Sequence, residues 1–315
     1  MKDIIIVGKG KASKIHTMSY KKFDKIGNIY YADIDIPIKD VLKKNNLDVN
    51  NVIVDIVTPK EVFVDVIETC ENLNLYNIIV EKPFVVDEDF FVKHPKLNIV
   101  MIQNYIYSLT TNFVKDYIEN NNLCIKAIMT NFSKNRINES FNMRGMSNKI
   151  TENFEIEVPH QIYICDYLLK NRSNLLLLEQ KDMQNIDRTL KNHGYSFSLL
   201  NNNGVIISHQ CDLTSNTLHK GMTIYCNDNT VISLEYSIYD KELSCLRNSR
   251  VIVYKNNEKI LDKEIVDDNM YYCLKDFYDY FNNEKYDSKY INRIKDFSII
   301  MKEYENFSNR FCHEI

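Results

Sequence analysis

Gly8 and Gly10, two of only seven glycines in 315 residues, stand directly behind the apolar run Ile4, Ile5, Ile6, Val7. A strand that empties into Gly-Lys-Gly-Lys-Ala-Ser and then a helix-compatible stretch has few uses. The first glycine permits a turn too tight for a side chain. The second lets backbone approach a pyrophosphate, whose charge then rests on the amides of Lys11, Ala12 and Ser13 where the next helix opens. Ser13 takes the place of the usual third glycine and is small enough for close helix–strand packing. A second apolar run, Ile29–Ala32, ends at Asp33. This is about 20 residues beyond the glycines, where a carboxylate can hold a ribose diol. The spacing predicts a dinucleotide site; the competing reading is an ordinary strand–turn–helix with a surface aspartate.

Bulk properties narrow the classes. Lys plus Arg number 39 and Asp plus Glu 43, a formal net charge of −4, so a nucleic-acid partner has no electrostatic drive. No apolar stretch approaches the roughly 20 residues of a membrane span, and the opening run is too short for a secretory signal. Eight cysteines without a CxxC pair suit reduced thiols in the cytoplasm. The histidines show no ligand spacing, and no metal is expected.

The first third alternates short apolar runs (Ile4–Val7, Ile29–Ala32, Val52–Val57, Ile78–Val80, Ile99–Ile102) with helix-length segments. Continuous rather than alternating apolar strands are buried on both faces. A doubly wound parallel α/β domain over residues 1–118 follows, ending after the helical stretch Phe113–Asn120. Beyond it, residues 119–315 change character. Cys124–Phe132 suits a strand, Ser133–Thr151 is polar and irregular, and His160–Lys170 has helical spacing. Alternating runs (Tyr195–Leu200, Val205–Gln210, Met222–Tyr225, Val231–Tyr236, Arg250–Tyr254) are separated by asparagine-rich turns. This pattern predicts an α+β domain with an open, mainly antiparallel sheet, closed by helices near Tyr271–Phe281 and Asn292–Phe311.

Ligands of doubly wound sheets bind outside the carboxyl ends of the strands. Two proline motifs fall there: Thr58-Pro59 after the third strand, and Glu81-Lys82-Pro83 after the fourth. With these, Gly8-Lys9-Gly10, His16 and Ala32-Asp33-Ile34-Asp35, the chain resembles the glucose–fructose oxidoreductase, inositol dehydrogenase and MocA family (Gfo/Idh/MocA). The resemblance implies a Rossmann domain followed by a substrate-binding and oligomerisation domain. It also implies NAD as cofactor, with NADP possible, held by Gly8, Gly10, Lys11, Ala12, Ser13, Asp33, Thr58, Pro59, Glu81 and Lys82. The family's proton-handling lysine and histidine match Lys82 and His160. Hydride removal from a carbinol needs its hydroxyl proton taken by a base of near-neutral pKa, which histidine supplies.

The chain departs from the family pattern around that histidine. The aspartate four residues before it is Ile156, with Glu157 the nearest substitute; the one three residues after it is Tyr163, which can offer a proton or hydrogen bond. No arginine or lysine follows the fifth strand, in Asn104-Tyr105-Ile106-Tyr107. The expected function is an NAD(P)-dependent oxidoreductase of a small polar substrate (a sugar, cyclitol, or carbonyl or imine precursor), with Lys82, His160, Tyr163 and Glu157 as catalytic candidates. Other readings are a cofactor sensor without turnover, or a hydrolase or eliminase that uses NAD transiently. An open sheet with one uncovered apolar face predicts a homo-oligomer.

Overall fold

The computed structural model describes residues 1–141, 152–240, 245–283 and 287–311. The chain forms two compact units, Met1–Asn104 with Met270–Ser298, and Tyr105–Asn269 with Ile299–Ile315.

In the first unit the elements are β1 (Asp3–Val7), α1 (Lys11–Tyr20), β2 (Ile29–Ala32), α2 (Ile38–Asn45), β3 (Val52–Ile56), α3 (Phe63–Asn72), β4 (Asn77–Val80), α4 (Phe90–Lys93) and β5 (Asn98–Met101). The strands lie in the order β2-β1-β3-β4-β5, and every pair is parallel. Ile4, Ile5, Ile6, Ile53, Val54, Ile78 and Ile79 are fully buried. Successive strand residues point to opposite faces, so helices cover both, as the continuous apolar runs require. The order reverses between β1 and β3, which makes the tips of those strands the crevice of the sheet.

The second unit contains α5 (Leu109–Asn120), β6 (Ile125–Ser133), α6 (Ile137–Phe141), α7 (Asn153–Ile156), α8 (Val158–Leu169) and the strands β7 (Asn174–Asn185), β8 (Arg188–Asn202), β9 (Val205–Asp212), β10 (His219–Cys226), β11 (Thr230–Glu235), β12 (Ile238–Asp240), β13 (Cys245–Arg247), β14 (Ser249–Lys255) and β15 (Glu258–Ile265). Eight of them form a sheet ordered β15-β14-β11-β10-β6-β9-β8-β7. The β6–β9 pair is parallel and its other pairs are antiparallel. One face is dry: Ile128, Phe132, Ile207, Ile224, Ile232, Val251 and Val253 are fully buried. Thr130 Oγ1 ties that face to α8 through Gln161. The other face shows Met129, Ile206 and Tyr225, from 38% to 52% exposed.

The helices α9 (Asn269–Asn282) and α10 (Ser288–Phe311) complete the chain. From Met270 to Ser298 they belong to the first unit, where Tyr271 and Tyr278 pack edge-on against Phe23. Sequence analysis divides the chain once, at 118/119. The compact units meet in sequence at Asn104/Tyr105, and α5 lies wholly in the second. The hydroxyl of Ser108 and the carboxylate of Asp267, both of that unit, cap the start of α5.

Candidate active site

The first unit carries its candidate residues at strand tips. Gly8 has φ +109°, and a Cβ added to it would lie 3.1 Å from the Val57 carbonyl oxygen and 3.3 Å from the Thr58 nitrogen. Neither its dihedral nor its surroundings admit a side chain. Gly10 differs: a Cβ there would meet nothing within 4 Å, so its bareness leaves room rather than relieving a clash. Gly10 caps α1 without a side-chain hydrogen bond, and no acid lies in the first turn. The amides that open α1 therefore present the partial positive charge of a helix N-terminus. Ser13 is buried, and its hydroxyl donates to the Gly10 carbonyl at 2.8 Å.

At the tip of β3 the Thr58 hydroxyl is buried without a hydrogen-bond partner, and Pro59 starts the turn toward α3. The bare helix start, the open space over Gly10 and the orphaned hydroxyl together fit a dinucleotide pyrophosphate. Asp33 closes a tight turn with Ile36. Its Oδ1 accepts the Ile34 amide at 2.8 Å. Lys9 reaches Asp35 at 2.9 Å. Alongside, Lys9, Ser13, Lys14, Thr17, Met18 and Tyr31 line a groove of about 480 Å³.

Beneath the Glu-Lys-Pro tip lies a buried polar network. His16, fully buried, sets Nδ1 2.8 Å from Asp55 Oδ2 and Nε2 3.0 Å from Glu81 Oε1. The Tyr20 hydroxyl donates to the same Asp55 oxygen at 3.0 Å. Glu81 Oε2 accepts the Lys82 amide at 3.0 Å. Burial works against a charged imidazole, but Asp55 and then Glu81 outweigh it and lift the His16 pKa to about 10. Burial likewise disfavours the Glu81 carboxylate, yet His16 and Lys82 hold its pKa below the ordinary value. The Glu81 carboxylate is thus occupied by its own chain. Lys82 is half-buried, and its bond to Pro83 is cis.

The second unit carries the other candidates. Pro159 opens α8 and places His160 in its first turn. Nδ1 of His160 is 2.6 Å from the Tyr163 hydroxyl, one helical turn on, so the ring is held in one orientation. Its faces pack on Tyr105, with centroids 5.0 Å apart, and on Phe132 at 6.3 Å. Tyr167, on the same stripe in sequence, hydrogen-bonds Asn112 instead.

Glu157 is 3% exposed. Its carboxylate is engaged by Lys134 and, at 3.2 Å, by Lys220, while its link to His160 is the backbone bond from the His160 amide. Lys220 also donates to the Tyr105 hydroxyl at 3.0 Å. An ammonium from β10 thus lies beside Tyr105. Residues 142–151 of the polar, irregular stretch lie outside the described residues. No motif or spacing in the sequence marks Tyr20, Lys134 or Lys220. The one available signal was Asp55, a lone carboxylate inside Val-Ile-Val-Asp-Ile.

No family model matches the chain, and no curated protein matches it. Solved structures do. A protein described as an NADPH-dependent oxidoreductase from Desulfitobacterium hafniense superimposes with a TM-score of 0.72 at 12% identity, covering 98% of this chain and 96% of that one. A 3-ketoreductase from Actinomadura kijaniata, solved with TDP-benzene and NADP, gives 0.73 at 9% identity over 94% of each chain. An oxidoreductase from Agrobacterium radiobacter, solved with NAD+, L-tartaric acid and magnesium, gives 0.69 at 12% identity, covering 98% and 96%. The chain has their fold. The two-part architecture expected from the sequence, a parallel sheet followed by a mainly antiparallel one, is present among the described residues.

Proposed function

We propose that the chain is a nicotinamide-dependent oxidoreductase of the Gfo/Idh/MocA type that acts on a small polar substrate. One observation carries the reading. The tips of β1 and β3 combine a glycine that admits no side chain, a glycine that leaves open space, an uncapped helix start and an orphaned hydroxyl. A bound nicotinamide would accept or supply the hydride. The amides of Lys11, Ala12 and Ser13 hold the pyrophosphate, with Asp33 and Lys9 on the ribose side; NAD and NADP both suit these residues.

Lys82 and His160 handle the substrate proton, and Tyr163 fixes the imidazole for that role. Residues 1–118 serve the dinucleotide and residues 119–315 the substrate and self-association. No described helix is long and apolar enough to cross a membrane. Cys70, Cys124, Cys165, Cys211, Cys226 and Cys273 are free, in keeping with the cytoplasm. Ala127, Ile206 and Tyr225 are register partners on the exposed sheet face, with Met129 next along β6. This apolar patch suits face-to-face packing on a second copy.

The chain lacks tryptophan, so nicotinamide fluorescence reads binding cleanly. Titration with NADH and NADPH should show saturable binding of at least one. Oxidation or reduction of a sugar and keto-acid panel by Lys82→Met should then fall by about 10²–10⁴-fold, with dinucleotide affinity little changed. Failure of both dinucleotides to bind would overturn the reading.

A further inference from the structure

The sheet beneath His160 holds two lysines where one ion pair would need a single lysine. Lys220 stands opposite Phe132 in the β10–β6 register, and Lys134 follows two residues after Phe132. Both ammoniums converge on the buried carboxylate of Glu157, at the start of α8. Among the described residues Glu157 is the anion that pairs with either of them. Arg136 adds positive field at Lys134, and its own partner, Glu139, lies 3.7 Å away.

The two lysines do not share the carboxylate equally. Burial disfavours the Lys220 charge, but Glu157 and Tyr105 overcome this and hold its pKa above the ordinary lysine value. Lys134 is left short of compensation: burial, opposed by Glu157 and reinforced by Lys220 and Arg136, brings its pKa to about 8. A buried charge without full pairing is costly, and a purely structural Glu157–Lys220 pair would do without the second lysine. Both side chains keep some access, 22% for Lys134 and 16% for Lys220. The pair also adjoins the imidazole. Lys220 Nζ lies 5.4 Å from the Tyr105 ring and 5.5 Å from the Phe132 ring, the same two rings that pack against His160.

We propose that Lys134 and Lys220, held by Glu157, bind an anionic group of the substrate, a carboxylate or a phosphate, beside His160. The missing second anion would come from the ligand, giving two cations two partners. The substrate class is then a sugar acid or a sugar phosphate rather than a neutral polyol. This deepens the oxidoreductase reading and rests on it for the reaction, but not for the binding.

The test is a lysine footprint of the full chain saturated with whichever dinucleotide binds. Trace acetic anhydride labels the amines, and peptide mass spectrometry reads each lysine while inorganic phosphate, D-glucuronate or D-glucose is titrated at constant ionic strength. We expect saturable protection of Lys134 by one or both anions, about tenfold at ten times the anion's Kd. Glucose should protect nothing, and exposed Lys39 and Lys191 should not respond. Protection by phosphate alone or glucuronate alone assigns the group.

In Lys220→Gln, which leaves one lysine for one glutamate, Lys134 should lose its protection. Should that variant not fold, Lys134→Gln read at Lys220 serves the same purpose. Protection by neither anion, equal protection by glucose, or protection that survives in the variant would overturn the proposal. Nicotinamide fluorescence in the same samples separates this failure from loss of dinucleotide binding, which would sink the oxidoreductase reading instead.

Discussion

Replacing His16 with glutamine should cost far more than a buried hydrogen bond, and by an amount that depends on pH. The imidazolium stands between the Asp55 and Glu81 carboxylates, with no exposed surface of its own. Removing one partner from a buried ionic cluster costs about 3–5 kcal/mol. The pH dependence comes from linkage. His16 is raised from 6.5 to about 10 by its two carboxylates, against the pull of burial. At about 1.4 kcal/mol per pH unit, the full shift is worth on the order of 4–5 kcal/mol. Because the folded value is the higher one, this stability is complete below pH 6.5 and drains away as pH climbs toward 10. Between pH 6.5 and 9 the wild type should lose about 3 kcal/mol that His16→Gln cannot lose. Urea unfolding followed by circular dichroism at half-unit pH steps measures both chains, and their difference cancels the titrating groups outside the His16–Asp55–Glu81 cluster. Parallel stability curves across that window would refute a charged His16.

Other outcomes follow from the same geometry. Gly8→Ala should lose roughly 1–3 kcal/mol of unfolding free energy from its positive φ and the nearby Val57 carbonyl, whereas Gly10→Ala should stay within about 0.5 kcal/mol of wild type yet bind dinucleotide at least about tenfold more weakly in a fluorescence titration. Tyr163→Phe should slow turnover while leaving the dinucleotide Kd unchanged, since it releases the His160 ring; equal kinetics would remove Tyr163 from the site. Met129→Lys with Tyr225→Lys should sediment as a monomer at concentrations where wild type associates; a monomeric wild type would contradict the proposed interface.

Much of the fold was legible because its signals are local. Five β-branched apolar runs became β1–β5, and the asparagine turns hold: Asn203, Asn229, Asn256 and Asn257 all take positive φ, which asparagine tolerates better than most side chains. The strands β7 and β15 escaped. Four leucines in a row at β7, directly after a helix, carry no period of two. The highly charged β15 has the composition of a solvated helix and is instead a blunted sheet edge. Among site residues, glycines and prolines announced themselves through backbone demands. Glu157 is named by its place beside Ile156, but that adjacency says nothing about which neighbour its carboxylate will meet. Lys134 and Lys220 come together only through the pairing of β6 with β10, which no linear spacing encodes.

That central strand, β6, has a consequence of its own. Its even-numbered residues Ile128, Thr130 and Phe132 lie on the buried face, where Thr130 and Phe132 meet α8, while Ala127 and Met129 look outward toward the proposed second copy. A slip of a single residue would exchange the two surfaces, putting Asn131 or Ser133 under the imidazole and Phe132 into water. Selection on either surface therefore constrains the other. The parallel neighbour β9 and antiparallel neighbour β10 bolt the ribbon from both sides, so changes in substrate preference should arise at its ends, near Lys134, rather than along its length.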